Sequence, residues 1–226
     1  MKILIMVLSS MKPPFDKLYQ IQKETWDSIK EDNVETFYYF GNDWELMHVP
    51  FRDALKEVWD RDWDVIYRTN SSSYVNKKLL VDFLKGKDAK KLWIGDEVGN
   101  NSGASFIVSR DLAQILMNQI PDNAQPYEDV LISDILKRNG YKIQVGERCW
   151  YNHDNSSYFD CYHIRCKNIC IISDVNGTSD NRESDINAMK HIFLNIKNKK
   201  SLSKEDYCLD SNVSIFYQEI GYQMPK

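Results

Sequence analysis

The sequence predicts an α/β domain with a mostly parallel central sheet flanked by helices. Three observations carry that expectation. Ile3 to Leu8 is an unbroken apolar run, the mark of a strand covered on both faces. Further β-prone runs stand at Val34 to Phe40, Val65 to Tyr67, Lys91 to Ile94, Ala104 to Ser109 and Tyr141 to Val145. Between them lie segments with apolar residues at helical spacing, and a β, α, β, α alternation is what builds parallel sheets.

Each element has a local reason. Ser9 and Ser10 end the first strand, and Pro13-Pro14 force an extended or turning connection. From Phe15 to Ile29, the apolar residues Leu18, Ile21, Trp26 and Ile29 predict one amphipathic helix. Gly41-Asn42-Asp43 closes the second strand as a turn. Phe51 to Trp59 predicts a helix with Ala54, Leu55 and Val58 on one face, and Lys77 to Leu84 another, stopped near Gly86. Gly95 to Gly103 reads as a polar loop. Ser109 is suited to N-cap the helix Arg110 to Asn118, and Asp111 favours its first turn. Pro121 to Pro126 reads as a loop; Glu128 and Asp129 then open a helix that ends at Gly140. Beyond Cys149 the pattern weakens, and WYNHDNSSYFDCYHIRCKN reads as loop. Ile169 to Ile172 suits a strand, and Asp185 to Ile196 a helix with Ile186, Met189, Ile192 and Phe193 on one face. The domain is expected over residues 1–200, with 201–226 a tail or short helix.

Composition bounds the function. The 226 residues, 42% hydrophobic and 12% aromatic, suit one domain and are too apolar for disorder. A net charge of −4 argues against a nucleic-acid protein held by phosphate contacts. The five cysteines lack paired CxxC spacing, which argues against a zinc site or a disulfide framework. Cys161, Cys166 and Cys170 then read as ordinary semi-buried thiols. MKILIMVLSS lacks the longer apolar core of a signal peptide, and no run approaches the ~20 apolar residues of a transmembrane segment. A soluble, cytoplasmic protein is expected, and the Lys, Asn, Ile and Tyr content suits a microbial or viral source. No GxGxxG, GxxxxGK[ST] or GxSxG occurs, which removes the phosphate-cradling glycines and the nucleophile elbow.

One stretch stands out. WDVIYRTNSSSYVN, Trp63 to Asn76, begins as a strand and turns polar at its end, where open α/β sheets place their ligands. A Ser/Asn turn between a strand and a helix is the alternative.

Four blocks, in order, resemble the β-1,3-glycosyltransferase family that includes fringe and the β-1,3-galactosyltransferases. YQIQKETW (Tyr19 to Trp26) resembles that family's block ending in Thr-Trp. RTNSSSYVN (Arg68 to Asn76) resembles its Lys-x-Asp-Asp-Asp-x-Phe-x-Asn metal loop. SGASFIVSRDLA (Ser102 to Ala113) is similar to its Ser-Gly-x-Gly-Tyr-x-x-Ser-Arg segment, and YEDVLISDILKRNGYKI (Tyr127 to Ile143) to its Glu-Asp-Val block. The resemblance covers residues 1–145. It implies a GT-A fold and inverting transfer of a sugar from a nucleotide sugar, a UDP sugar above all, to a carbohydrate or glycan hydroxyl.

The departure falls on the metal. The family's three aspartates are replaced by Asn70, Ser71 and Ser72, neutral groups that bind a hard cation weakly. Either the divalent metal is absent or its ligands come from elsewhere in the chain, and no metal ligand is assigned. A cation should instead stabilise the leaving diphosphate, and Arg68, His163, Arg165, Lys167 and Arg182 are candidates. The resemblance makes Asp129 the base that deprotonates the acceptor and Glu128 its neighbour; both equally suit a helix N-terminus. Ser9, Ser10, Asn70, Ser71, Ser72 and Gly103 are donor-side candidates. Asp96 and Glu97 suit either sugar hydroxyls or an exposed acidic loop, and Trp150, Tyr151 and Tyr158 either cover an acceptor ring or pack. The alternative is a non-catalytic nucleotide-sugar- or carbohydrate-binding module on the same fold.

Overall fold

The computed structural model describes residues 1–41, 48–95, 104–121, 128–151, 160–166 and 182–198, with backbone alone at 48–50, 128 and 150. The expected tail at 201–226 and the expected strand at Ile169 to Ile172 lie outside these residues.

Nine strands are described: β1 (Ile3–Ser9), β2 (Val34–Phe40), β3 (Val65–Asn70), β4 (Ser73–Val75), β5 (Trp93–Gly95), β6 (Ser105–Ser109), β7 (Gln144–Val145), β8 (Arg148–Trp150) and β9 (His163–Arg165). The helices are α1 (Phe15–Glu24), α2 (His48–Val58), α3 (Lys77–Leu84), α4 (Arg110–Gln119), α5 (Glu128–Arg138) and α6 (Glu183–Lys197). The main sheet has the order β2-β1-β3-β6-β5-β7. It is parallel except for β6, which runs against β3 and β5. Every residue of β1 is buried, as its unbroken apolar run requires of a strand with layers on both sides.

Strand alternation feeds two cores. Leu4, Met6, Ile66, Trp93, Phe106 and Val108 face α2, α4 and α5, where they meet Phe51, Leu55, Leu112, Leu116, Ile132 and Leu136. Ile3, Ile5, Val7, Val65, Tyr67 and Ile107 face the other way, toward Leu18 and Ile21 of α1, Leu80 of α3 and Met189 and Ile192 of α6. That second face also carries a small sheet of order β4-β9-β8.

The small sheet corrects the expectation of a loop after Cys149. Its strands are three residues long; Arg148-Cys149-Trp150 shows no alternation, and in His163-Ile164-Arg165 polar residues flank an apolar one. His163 and Ile164 are both fully buried, so the polar positions do not mark the solvent side and the pattern does not advertise a strand.

Other boundaries shift for local reasons. The helix expected to Ile29 stops at Glu24, because Thr25 leaves helical geometry and its hydroxyl bonds back to the Ile21 carbonyl at 2.6 Å. A single 3₁₀ turn, Trp26–Ser28, follows. There Lys77 Nζ inserts from α3, donating to Asp27 Oδ1 and to the Ile29 carbonyl, each at 2.9 Å. Ser109 precedes α4 as expected but forms no capping bond. Its hydroxyl accepts from the Leu92 amide at 3.0 Å and donates to Asp111 at 2.5 Å. Asn76 does cap α3, accepting from the Leu79 amide at 3.2 Å. Past α5, Gly140 takes φ +82, the left-handed stop the sequence foretold. The strand expected from Tyr141 shrinks to Gln144–Val145.

Candidate functional site

β3 outruns its apolar core and reaches Asn70, where the chain turns through Ser71 and Ser72 into β4. Asn70 Oδ1 accepts from the Ser72 amide at 3.2 Å and the Ser73 hydroxyl at 3.0 Å, an Asx-type turn. Gln22 of α1, fully buried, donates through Nε2 to the carbonyls of Asn70 (3.1 Å) and Ser73 (3.0 Å). The Cys166 amide donates to the Ser72 carbonyl at 2.9 Å, tying the turn to the end of β9.

The register of the small sheet sorts its side chains. Val75, His163 and Arg148 form one cross-strand row, and Ser73 and Arg165 belong to the next. These rows share one face; Tyr74, Ile164 and Cys149 share the other. The first face meets the end of β3. The Tyr67 hydroxyl lies 2.5 Å from His163 Nδ1, and both residues are fully buried. Thr69 and Ser105, paired across β3 and β6, bring hydroxyls to Tyr67. Ser9, on the same side of β1 as Val7, ends that strand with a buried hydroxyl that meets no hydrogen-bond partner.

The electrostatics are one-sided. Burial, then the positive charges of Arg148, Arg165 and Arg68, hold the His163 imidazole well below its ordinary range, so the ring is neutral at pH 7. Burial holds the Tyr67 phenol well above its own and keeps it protonated. Burial also draws the Arg165 guanidinium down to about 10; Asp185 opposes this, and Arg68 and Arg182 add to it. Arg165 therefore stays charged at neutral pH. His163 Nε2 and Arg165 Nε and Nη1 are buried and meet no hydrogen-bond partner. Buried polar atoms in folded proteins are nearly always paired, so such orphans grouped on one face mark a place built for a polar guest.

The structure gathers some expected residues and separates others. His163, Arg165 and the Asn70–Ser72 turn belong to one locality, joined through Ser73, the row partner of Arg165. Arg68 alternates to the other face of β3, where its guanidinium lies 5.8 Å from the Phe106 ring centre. Arg182 pairs with Asp185 at 3.3 Å and covers the Phe15 ring. Ser10 accepts from the Lys12 amide at 3.1 Å. Glu128 and Asp129 head α5, whose Ile132, Ile135 and Leu136 pack into the opposite core. Asp129 is half-buried, and its Oδ1 accepts from the Val130 amide at 3.0 Å. Tyr151, expected near an acceptor, is instead a buried core residue facing His191. Gly103, Asp96, Glu97, Tyr158 and Lys167 lie outside the described residues. Among the described residues no disulfide joins Cys149, Cys161 and Cys166 to one another.

Sequence reasoning missed Tyr67, Thr69, Ser105, Arg148 and Gln22. The i, i+2 alternation within VIYRTN was the available signal for Tyr67 and Thr69. Gln22 and Arg148 had none, since their roles exist only once α1 and β8 are docked.

A divalent metal, which the family resembled in sequence would bring, does not fit this donor set. The turn offers no carboxylate, and the Asn70 side-chain oxygen already serves two donors within the turn. Among the described residues no group of three or more His, Cys, Asp or Glu side chains could hold a metal ion. The charged groups aimed at His163 are arginines, which repel a cation.

No protein-family model matches the sequence, and no curated protein matches it as a relative. Solved structures do share its fold. A glycosyltransferase involved in the glycosylation of the major capsid of PBCV-1 superposes with a TM-score of 0.54 at 17% identity, covering 83% of this chain and 98% of its own. That likeness establishes the fold: this chain has the α/β architecture of the GT-A glycosyltransferases. The galactosyltransferase LgtC, solved in complex with donor and acceptor sugar analogs, gives 0.42 at 9% identity over 84% of this chain and 96% of its own, too low to carry an argument. Among the described residues no helix is long and apolar enough to cross a membrane.

Proposed function

We propose that the protein is an inverting glycosyltransferase. It moves a sugar from a nucleotide donor, a UDP sugar first among them, to a hydroxyl of a carbohydrate or glycan in the cytoplasm. The observation that carries this reading is the polar turn Asn70–Ser72, set at the carboxyl end of β3 in a GT-A-like sheet. In open α/β folds ligands lie outside that edge. The four sequence blocks support a distant kinship with the β-1,3-glycosyltransferases.

The chemistry needs one base. In this reading Asp129 takes the proton from the acceptor hydroxyl as its oxygen attacks the anomeric carbon, while the bond to the diphosphate breaks on the opposite face. A positioned base of this kind contributes about 10²–10⁴-fold. Glu128 beside it orients that base or binds acceptor or donor hydroxyls. The Ser71 and Ser72 hydroxyls, buried at the turn, are donor-side hydrogen-bonding groups.

The test is Asp129→Asn, assayed for transfer and for donor hydrolysis across a panel of nucleotide sugars. Turnover should fall by about 10²-fold or more while donor affinity is kept. Normal turnover in Asp129→Asn removes the base assignment. One observation favours a second reading, a binding module without turnover: Asn70 is spent on holding its own turn. Tight donor binding with no transfer or hydrolysis in the unaltered protein would select it.

A further inference from the structure

We infer that the inner face of the small sheet, through His163 Nε2 and the Arg165 guanidinium with Arg148 beside them, holds a diphosphate directly, with no metal between. The inference takes its substrate from the glycosyl-transfer reading, but its chemistry stands on the side chains themselves.

Three features converge. First, the register brings the three residues together: Arg148 and His163 are row partners, and Arg165 lies two residues along on the same face. Second, the groups left unpaired are donors. Arg165 Nε and Nη1 can only donate, and His163 Nε2 is a donor as well in the tautomer that accepts from Tyr67 at Nδ1, which is the one the inference takes. Orphaned donors ask for an acceptor, not for a cation. Third, the charge is unbalanced in one sense. Among the described residues Asp185 is the carboxylate that acts on Arg165, and it also pairs with Arg182 at 3.3 Å. A diphosphate offers several anionic acceptor oxygens and relieves both deficits at once. A divalent ion would add positive charge beside two guanidinium groups.

Tyr67 and the Asn70–Ser73 turn supply the positioning. The phenol fixes the ring from Nδ1, and its T-shaped contact with Tyr162, at 5.7 Å between ring centres, fixes the phenol. Ser73 joins the face as the row partner of Arg165 and is itself bonded to Asn70. The side chains at the family's metal motif thus hold one wall of the anion site instead of a metal.

Calorimetry with inorganic pyrophosphate tests this, in EDTA and again in excess Mn²⁺. The unaltered protein should bind pyrophosphate in EDTA. Arg165→Met and His163→Leu should each weaken binding by about ten- to a hundredfold. His163→Gln keeps an N–H donor near the Nε2 position and should stay within about threefold. Circular dichroism checks that each variant folds; if His163→Leu does not, Arg148→Met and His163→Gln carry the comparison. Binding that requires Mn²⁺, or that survives unchanged in folded Arg165→Met, overturns the inference. The two proposals fail separately. Pyrophosphate binding in EDTA without sugar transfer from any donor removes the enzyme reading and leaves the anion site. Transfer that depends strictly on Mn²⁺ does the reverse.

Discussion

The two faces of the main sheet are built from different materials. Toward α2, α4 and α5 the strands present Leu4, Met6, Ile66, Phe106 and Val108, and the helices answer with Phe51, Leu55, Leu116 and Ile135. Toward the small sheet the same strands present Tyr67, Thr69 and Ser105 near their ends, answered by His163 and Arg165. An apolar core gains stability from area removed from water and asks little of exact chemistry. A buried polar cluster is costly unless every group finds a partner. The first face therefore keeps the fold, and the second spends some of that stability on a site.

Three tests would break or sharpen that contrast. The largest effect belongs to the apolar face. Trp93→Ala should cost about 3–5 kcal/mol in urea denaturation, while the fraction that remains folded keeps its pyrophosphate affinity. A matching loss of affinity would mean that the two faces are not separable. Next comes the ion pair beneath the polar face. Lys77 and Asp27 are both nearly buried. Burial alone raises the Asp27 carboxyl, but hydrogen bonds from Lys23, Thr36 and Lys77 outweigh it and hold the group below its ordinary value. Lys77→Met takes away the buried partner of that carboxylate, leaves it Lys23 and Thr36, and should cost up to about 3 kcal/mol. Lys77→Met with Asp27→Leu should cost less than the two single changes added together. Strict additivity would deny the pairing.

The smallest effect is a pH slope. His163 is neutral when folded because its proton affinity is depressed, whereas the unfolded chain binds a proton near the ordinary value of 6.5. Below that pH the unfolded state holds more protons, so stability falls as pH drops, by up to about 1.4 kcal/mol per unit. The Asp27 contribution is lost only further down, below its ordinary 3.8. Melting curves from pH 8 to 5 should show the slope in the unaltered protein and a flatter one in His163→Gln. Parallel curves would mean that the imidazole is not held neutral by its burial and by the charges of Arg148, Arg165 and Arg68.

How much of this was legible follows from where each signal resides. ILIMVLS announces a doubly covered strand because both of its faces are apolar, and VETFYYF and SFIVS are nearly as plain. Gly140 and Asn76 mark helix ends through conformations and bonds that are local to them. The small sheet was illegible for the opposite reason. His163 and Arg165 are polar residues turned inward, and a strand that buries its polar side reads as loop. The site was legible as far as the turn at Asn70, which is local. Its partner side chains arrive from Gln22, Arg148 and His163, remote in the chain, and no local pattern announces them. Arg68 was legible as a charge at a strand end, yet alternation carries it to the wrong side.

The single reversed strand has its own consequence. β5 points the same way as β1, so Gly95 leaves the sheet at the rim where Ser9 and Asn70 end. β6 returns against it, with Ser105 opposite Thr69 and the Thr69 hydroxyl 3.3 Å from the Ala104 carbonyl. The reversal therefore brings the last residue of β5 and the first of β6 to the same end of the sheet, beside Ser9 and Asn70. Had β6 been parallel, Ser105 would stand at the far end, and Thr69 would lose it across the strand pair.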